Sequence, residues 1–306
     1  MNASLLFAQA LNGLQLGVLL FLLSAGLTLV LGIMNFVNLA HGSLFMMGAY
    51  FGAASFAATQ SFALAAVAAI GGTMVLGVLV ERLVLARLYE RDHLYQVLGT
   101  FGLILVFNEI ARFVWGQAPV FMDVPQLLAG TIQLGPVAYP AYRFAIIVVG
   151  LLVGLALYLV IHRTRVGMLI RAGASDAQML SALGVDNGLV SGLVFAVGAG
   201  LAGLAGLMAG PILTVQPGMG EPVLILALVV LITGGIGSIR GAFYGALIVG
   251  VVDTVGRAFL PGLLRDFVER SFAQNAGPAI ASMLIYFLMA AVLAFRPAGL
   301  FPVKHG

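Results

Sequence analysis

Phe144 to Ile161 reads FAIIVVGLLVGLALYLVI, eighteen residues with no charge and a single hydroxyl, that of Tyr158. Coiled as an α-helix, the run would span about 27 Å, close to the hydrocarbon thickness of a bilayer. A membrane β-strand alternates lipid-facing apolar residues with polar ones, so an uninterrupted apolar run excludes a transmembrane β-barrel. An α-helix satisfies its own backbone in lipid, and the fold read from this stretch is an all-α polytopic integral membrane protein.

The rest of the chain agrees. Of its 306 residues, 62% are hydrophobic and 8% charged, against about 25% charged in soluble domains. The first charged side chain is Glu81, which leaves room before it for up to about four spans of roughly 20 residues. The start, MNASLLFAQALNG, has no basic flank ahead of its apolar stretch, which argues against a cleaved signal peptide.

Composition also excludes chemistries. Without cysteine there is no disulfide, thiolate ligand or thiol nucleophile. Four histidines form no HExxH pair, and no metal site is expected. The only lysine, Lys304, stands near the C-terminus, where it cannot serve a GxxxxGK[ST] phosphate loop. Any ATP that drives this protein must be hydrolysed by another subunit. The net charge of +3 is explained by arginine-rich cytoplasmic loops, and no basic patch interleaved with aromatics points to nucleic acid.

Placing the charges orders the spans. Leu14 to Ile33 is followed by the polar segment Met34 to Ser43, an apolar stretch to Ala58, and Phe62 to Val80. Glu81, Arg82, Arg87, Glu90, Arg91 and Asp92 then mark a cytoplasmic loop. Val97 to Trp115 returns outward, Gly116 to Tyr142 is an outer loop rich in proline and glycine, and Phe144 to Ile161 delivers Arg163, Arg165 and Arg171 inside. Leu189 to Gly210 goes out, Thr214 to Pro222 with Glu221 turns, and Val223 to Thr233 comes back to the glycine-rich GGIGSIRG at 234–241. Ala242 to Val255 leaves again. Gly256 to Gly277, a longer connection containing Arg257, Arg265, Asp266, Glu269 and Arg270, falls outside by parity although its arginines argue for the inside. Ala279 to Phe295 ends at a cytoplasmic tail. The count is about eight helices, seven to nine, with broken or re-entrant polar segments.

Four features carry structure or function. GAGLAGLAGLMAG sets Gly198, Ala202, Gly206 and Gly210 on one helical face, the pattern of a tightly packed helix in lipid. Polar breaks survive at membrane depth only inside protein or along a cavity, so Asn35, Asn38, His41 and Ser43 form one candidate pathway segment. Asn38 and His41 would share a helical face, and the asparagines read as caps at a helix break; His41 taken alone reads as a structural histidine. Gly234, Gly235, Gly237, Ser238 and Gly241 form the second, because so many glycines disfavour a continuous helix. Its RGAFYGA faintly echoes HGSLFMMGA, a trace of internal duplication. Lastly, Arg163 to Val190 is the longest inward connection, with Ser175 as N-cap, Asp176 at the start and Gly184 just past the end of a short helix over Ala177 to Leu183. Intramembrane charges come in helical pairs, Glu109 with Arg112 and Asp253 with Arg257.

NFVNLAHGSLFMMGAY (35–50), TRVGMLIRAGASDAQMLSALGV (164–185), GGIGSIRGAFYGA (234–246) and FRPAGLF (295–301), taken in order, resemble the permeases of branched-chain amino-acid ABC importers, the LivH-like group. The resemblance implies one transmembrane permease domain over 1–306, with 163–190 a cytoplasmic coupling loop whose Arg165, Gly167, Arg171, Ala172, Ser175, Asp176, Ala182 and Gly184 meet an ATPase. It implies a second homologous permease, as heterodimer or homodimer, two ATP-binding subunits that use ATP and Mg²⁺, and a periplasmic binding protein. This chain itself would bind no cofactor. The location implied is the bacterial inner membrane, multi-pass, with the C-terminus cytoplasmic. Many members of the group have glutamate directly after the His-Gly, where this chain has Ser43, so urea, amides or other small polar solutes stand beside leucine, isoleucine and valine as substrates. An ion-coupled transporter using Glu109 or Asp253 is the competing class.

Overall fold

The computed structural model describes residues 3–34, 36–89, 91–264 and 270–302; Asn35, Glu90, Arg265, Asp266, Glu269 and Lys304 lie outside them. The helices are α1 (Ala3–Met34), α2 (His41–Thr59), α3 (Phe62–Leu83), α4 (His93–Trp115), α5 (Ala141–Arg163), α6 (Arg165–Ser175), α7 (Ala177–Ala182), α8 (Asn187–Ala209), α9 (Gly220–Gly234), α10 (Ile239–Leu264) and α11 (Arg270–Phe295). Seven of them, α1, α3, α4, α5, α8, α10 and α11, are long and apolar enough to cross a membrane. The 19-residue α2 and the 15-residue α9 are the helices that border the two polar breaks. The chain is a polytopic α-helical membrane protein within the range expected from its sequence.

Burial separates a centre from a periphery. Across their most apolar windows α1 and α8 are each 83% buried, whereas α11 is 11% buried, so α1 and α8 form the axis and α11 faces outward. Glycine makes this axis possible. A Cβ at Gly206 would overlap the Phe45 carbonyl of α2, one at Gly198 would stand 3.0 Å from the Gly26 carbonyl of α1, and one at Gly203 would stand 2.7 Å from the Ala69 carbonyl of α3. The Gly198, Ala202, Gly206 face is thus a packing face, and the neighbouring glycines extend the same contact to a third helix. Lipid offers no hydrophobic drive between helices, so close backbone approach supplies the dispersion that holds them.

Several local readings need correction. Asn38 and His41 share no helical face, because residues 36–40 are non-helical and α2 starts at His41. Asn38 instead turns the chain: its Oδ1 accepts from the Ala40 N–H at 3.0 Å. Ser175 is not the N-cap of the short helix; it ends α6, and the Asp176 carboxylate accepts from Met179 N–H at 2.9 Å. Extended backbone at Asp176 separates the helices and places its side chain, one residue later than expected, over the free N–H groups. Gly184 does lie beyond the helix end, at φ +82°. The 163–190 connection holds two helices, since Thr164 caps α6 by accepting from Gly167 N–H at 3.1 Å.

The 256–277 connection is also largely helical. α10 continues through Pro261 to Leu264, and α11 starts at Arg270; membrane helices tolerate proline where neighbours fill the gap, and Gly277 of α11 packs directly on Pro261. α10 runs antiparallel to α1, with Gly13 against Val251, Gly17 against Leu247 and Gly32 near Gly237. Residues 256–264 therefore stand at the end opposite Arg163, Arg165 and Arg171, as parity requires. The 116–142 loop carries a hairpin the sequence reading lacked, β1 (Thr131–Leu134) and β2 (Val137–Pro140), paired antiparallel. Glu81 is not a loop charge but a buried residue, hydrogen-bonded by the Tyr89 hydroxyl at 3.0 Å. Burial first, and the Glu81 charge second, push the Tyr89 phenol well above its ordinary pKa, so it remains a donor.

Gly206→Ala should lower the melting temperature of the detergent-solubilised protein, by an overpacking cost of about 1–3 kcal/mol. Gly71→Ala, where a Cβ meets nothing within 4 Å, should be neutral or stabilising. Equal melting temperatures for the two variants would remove the axis from this account.

Candidate functional site

The first polar segment is buried at the heart of the bundle. His41 is fully buried and lies against Gly26 of α1, which in turn touches Gly198, the central residue of α8. Neither ring nitrogen makes a hydrogen bond of good geometry, and the polar group beside the ring is the Leu23 backbone. Asn38, 1% exposed, uses its oxygen for the turn and leaves its amide nitrogen unpartnered. The next residues close the space: Gly42 meets the Gly220 carbonyl, so the N-termini of α2 and α9 touch, and Ser43 is buried beside them. Unpaired polar groups at this depth carry a desolvation cost. Asn35 belongs to the same segment and lies outside the described residues.

The glycine break is arranged differently. Gly235 and Gly237 adopt φ of +111° and +77°, conformations that favour residues without a Cβ, and the Gly234 and Gly241 backbones touch across the turn. Ser238 caps α10, its Oγ accepting from Gly241 N–H at 3.0 Å. The tail then seals one side. Leu300 N–H donates to the Thr233 carbonyl and Phe301 N–H to the Gly234 carbonyl, both at 2.9 Å, while Gly299 packs on Gly235. Sequence reasoning noted FRPAGLF without a role for it; no local pattern shows that 299–301 pairs with 233–235.

Residues 163–190, expected to meet an ATPase, form an arginine-bearing corner at the same end. α6 folds back so tightly that a Cβ at Gly167 would overlap the Val160 and Ile161 carbonyls of α5. Gly167, Ile170 and Gly173 face inward and are buried, while Arg165, Arg171 and Ala172 lie outward. Arg171 donates to the Ile161 carbonyl and so closes the end of α5. In α7, Leu180 anchors inward at 5% exposure, and Met179 and Leu183, beside Ala182 and Gly184, stand 58% and 74% exposed. On α6 the buried residues stand three apart, a one-sided pattern that the sequence reading, confined to the short helix and its caps, passed over.

Between these parts lies a cleft of about 710 Å³. The end of α1, the α5–α6 corner and the start of α10 line it, and Gly237, Ser238, Arg171 and Ser175 all reach it. None of its lining residues comes from 36–43, so the cleft unites the glycine break with the α5–α6 corner and leaves the buried His41 segment apart. Thr28, His162 and Arg240 line it too and were missed; the signal available was Arg240, inside GGIGSIRG, where attention went to the glycines.

The two charge pairs read from the sequence are both formed. Arg112 and Glu109 meet at 2.6 Å on the exposed side of α4, and Arg257 Nε donates to both Asp253 oxygens at 2.9 Å. Asn108 braces the far end of the bundle, donating to Glu221 at 2.7 Å and accepting from Gly218 N–H at 3.0 Å.

Comparison with known proteins places this architecture. The family described as branched-chain amino acid transport system / permease component matches residues 9–293. The high-affinity branched-chain amino acid transport system permease protein BraD of Pseudomonas aeruginosa is 29% identical over 95% of this chain and 94% of its own length. The corresponding permease protein LivH of Salmonella typhimurium is 30% identical and that of Escherichia coli 29% identical, each over 85% of this chain and 89% of its own. No solved structure matches. With the family match running from the first turns of α1 almost to the end of α11, the chain belongs to the permease-component family of branched-chain amino acid transport systems.

Proposed function

We propose that this chain is a permease subunit of an ATP-binding-cassette importer that carries branched-chain amino acids across the bacterial inner membrane. It works beside a second, homologous permease, is driven by two ATPase subunits that bind ATP and Mg²⁺, and receives its ligand from a periplasmic binding protein. The chain forms one transmembrane domain with a cytoplasmic C-terminus, holds no cofactor, and catalyses no reaction itself. The observation that carries this reading is the α6–α7 corner: a two-helix element seated on α5 through Gly167 and Ile170, with Met179 and Leu183 left exposed at its tip. Exposed apolar residues on a short, capped helix suit docking into a partner. The seated corner suits transmission, because force on α7 passes through α6 to the ends of α5 and α1.

In this mechanism Arg165, Gly167, Arg171, Ala172, Ser175, Asp176, Ala182 and Gly184 form the coupling element. Asn38, His41 and Ser43 border the transport path where α2 and α9 meet, and the unpartnered nitrogens of Asn38 and His41 find partners when that contact opens. The glycine break, Gly234 to Gly241, is the hinge at the arginine end. The branched-chain substrates rest on the printed names of the relatives. Ion coupling is disfavoured by the arginines that hold Glu109 and Asp253.

Ala182→Pro should disrupt α7, an interior proline costing about 3 kcal/mol. In the assembled complex, hydrolysis stimulated by the loaded binding protein should then fall to its basal level or the ATPase should dissociate; normal stimulated hydrolysis would refute the coupling role. Asp176→Ala, with the loss of one cap at about 1 kcal/mol, should give a partial version of the same defect. Uptake into vesicles should be abolished by vanadate and persist with a protonophore, and the reverse pattern would assign the chain to ion-coupled transport.

A further inference from the structure

The cleft at the arginine end has the chemistry of a receptor for a small aliphatic anion. Its volume of about 710 Å³ is that of a small-molecule site. Leu29, Leu31, Ile33, Ile161, Ile170 and Ile236 line it, giving it branched hydrocarbon walls. Arg171 and Arg240 supply positive charge, and no carboxylate is among the described residues that line it. Both guanidinium groups are held in place: Arg171 donates to the Ile161 carbonyl, and Arg240 stands 5.8 Å over the Tyr158 ring. The 26-residue α10 begins here, its first-turn N–H groups adding partial positive charge beside the Ser238 cap. Independently of these, Thr28 lines the cleft, is 1% exposed, and has a hydroxyl with no hydrogen-bond partner. A threonine hydroxyl in a helix ordinarily bonds a carbonyl one turn back, as Thr73 and Thr233 do here, so the wall of the cleft holds a polar group with unused hydrogen-bonding capacity.

We propose that this cleft binds one aliphatic carboxylate of amino-acid size, its anionic group on Arg171, Arg240 and the start of α10 and its hydrocarbon tail on the leucine and isoleucine walls. Because Ile170, Arg171, Ala174 and Ser175 of α6 line the cleft, an occupant clamps the coupling corner to the bundle. The transported amino acid, accumulating at the arginine end, thereby slows its own uptake. This regulatory part rests on the importer reading above; the binding part does not.

The chain contains no cysteine, so Ala174→Cys introduces a unique thiol on the cleft wall. The full chain, in nanodiscs of phosphatidylcholine, is labelled with a water-soluble maleimide in the presence of L-leucine, 4-methyl-2-oxopentanoate or leucinol. Leucine and the keto acid should slow labelling several-fold, and leucinol, which has no carboxylate, should not. Added Arg240→Gln should weaken protection about tenfold, the loss of one charge-assisted contact. Added Ile236→Asp, at a 61% exposed residue where folding tolerates a charge, should abolish it. Absence of protection by leucine, or equal protection by leucinol, overturns the site. Protection that needs phosphatidylglycerol in the disc and no amino acid overturns it in favour of a lipid headgroup. In the reconstituted complex, leucine on the ATPase side should reduce stimulated hydrolysis; protection without that reduction overturns the feedback role. A complex that shows no stimulated hydrolysis at all defeats the importer reading and leaves the labelling result standing.

Discussion

Backbone contact between helices at glycine is the constraint on which the molecule depends. Gly198, Gly203 and Gly206 of α8 let α1, α3 and α2 approach until carbonyl oxygens occupy the space of absent side chains. The same device joins Gly42 to Gly220 and Gly234 to Gly241. In water such a stripe would be a weak helix; in lipid, where apolar side chains gain little by leaving the solvent, close approach is what distinguishes a packed helix from a dispersed one. Every functional segment hangs on this frame. His41 is enclosed because Gly26 and Gly198 meet beside it, and the break at 235–238 is held because Gly299 of the tail fits where a side chain could not.

The frame creates two different polar environments. Around Asn38 and His41 the packing is closed, and polar atoms remain without protein partners inside it. Such an arrangement is stable only because the surrounding helices over-determine it, and it makes the α2–α9 contact the natural point of separation. At the arginine end the packing is open, and the charged groups line a cleft wide enough for a ligand. The corner built from α6 and α7 touches the open environment directly. It reaches the closed one through α1, whose final turns border the cleft and whose Gly26 lies on His41.

Much of this was legible along the chain. Charge spacing separates the loops from the spans, and the polar segment Met34 to Ser43 and the glycine-rich 234–241 each contain an interruption of helix, although His41 and Ser43 already belong to α2. The short helix was readable from Asp176 and Gly184, although the cap falls on Asp176 rather than Ser175, a one-residue shift that depends on where α6 stops. What was not legible involved partners distant in sequence. Glu81 reads as a loop charge until Tyr89 turns back on it, and the FRPAGLF tail has no visible role until it meets 233–235.

The sequence by itself determined the solvent, the helical class, the range of spans and the two interruptions, since each follows from which residues can face lipid and from the need of every buried backbone group to be paired within its own segment. Only the tertiary structure decided which interruption is closed and which is open, and that Thr28, Arg171 and Arg240 share one cleft. Those outcomes depend on helices approaching at glycine contacts between residues far apart in the chain, a distance over which no local periodicity carries information.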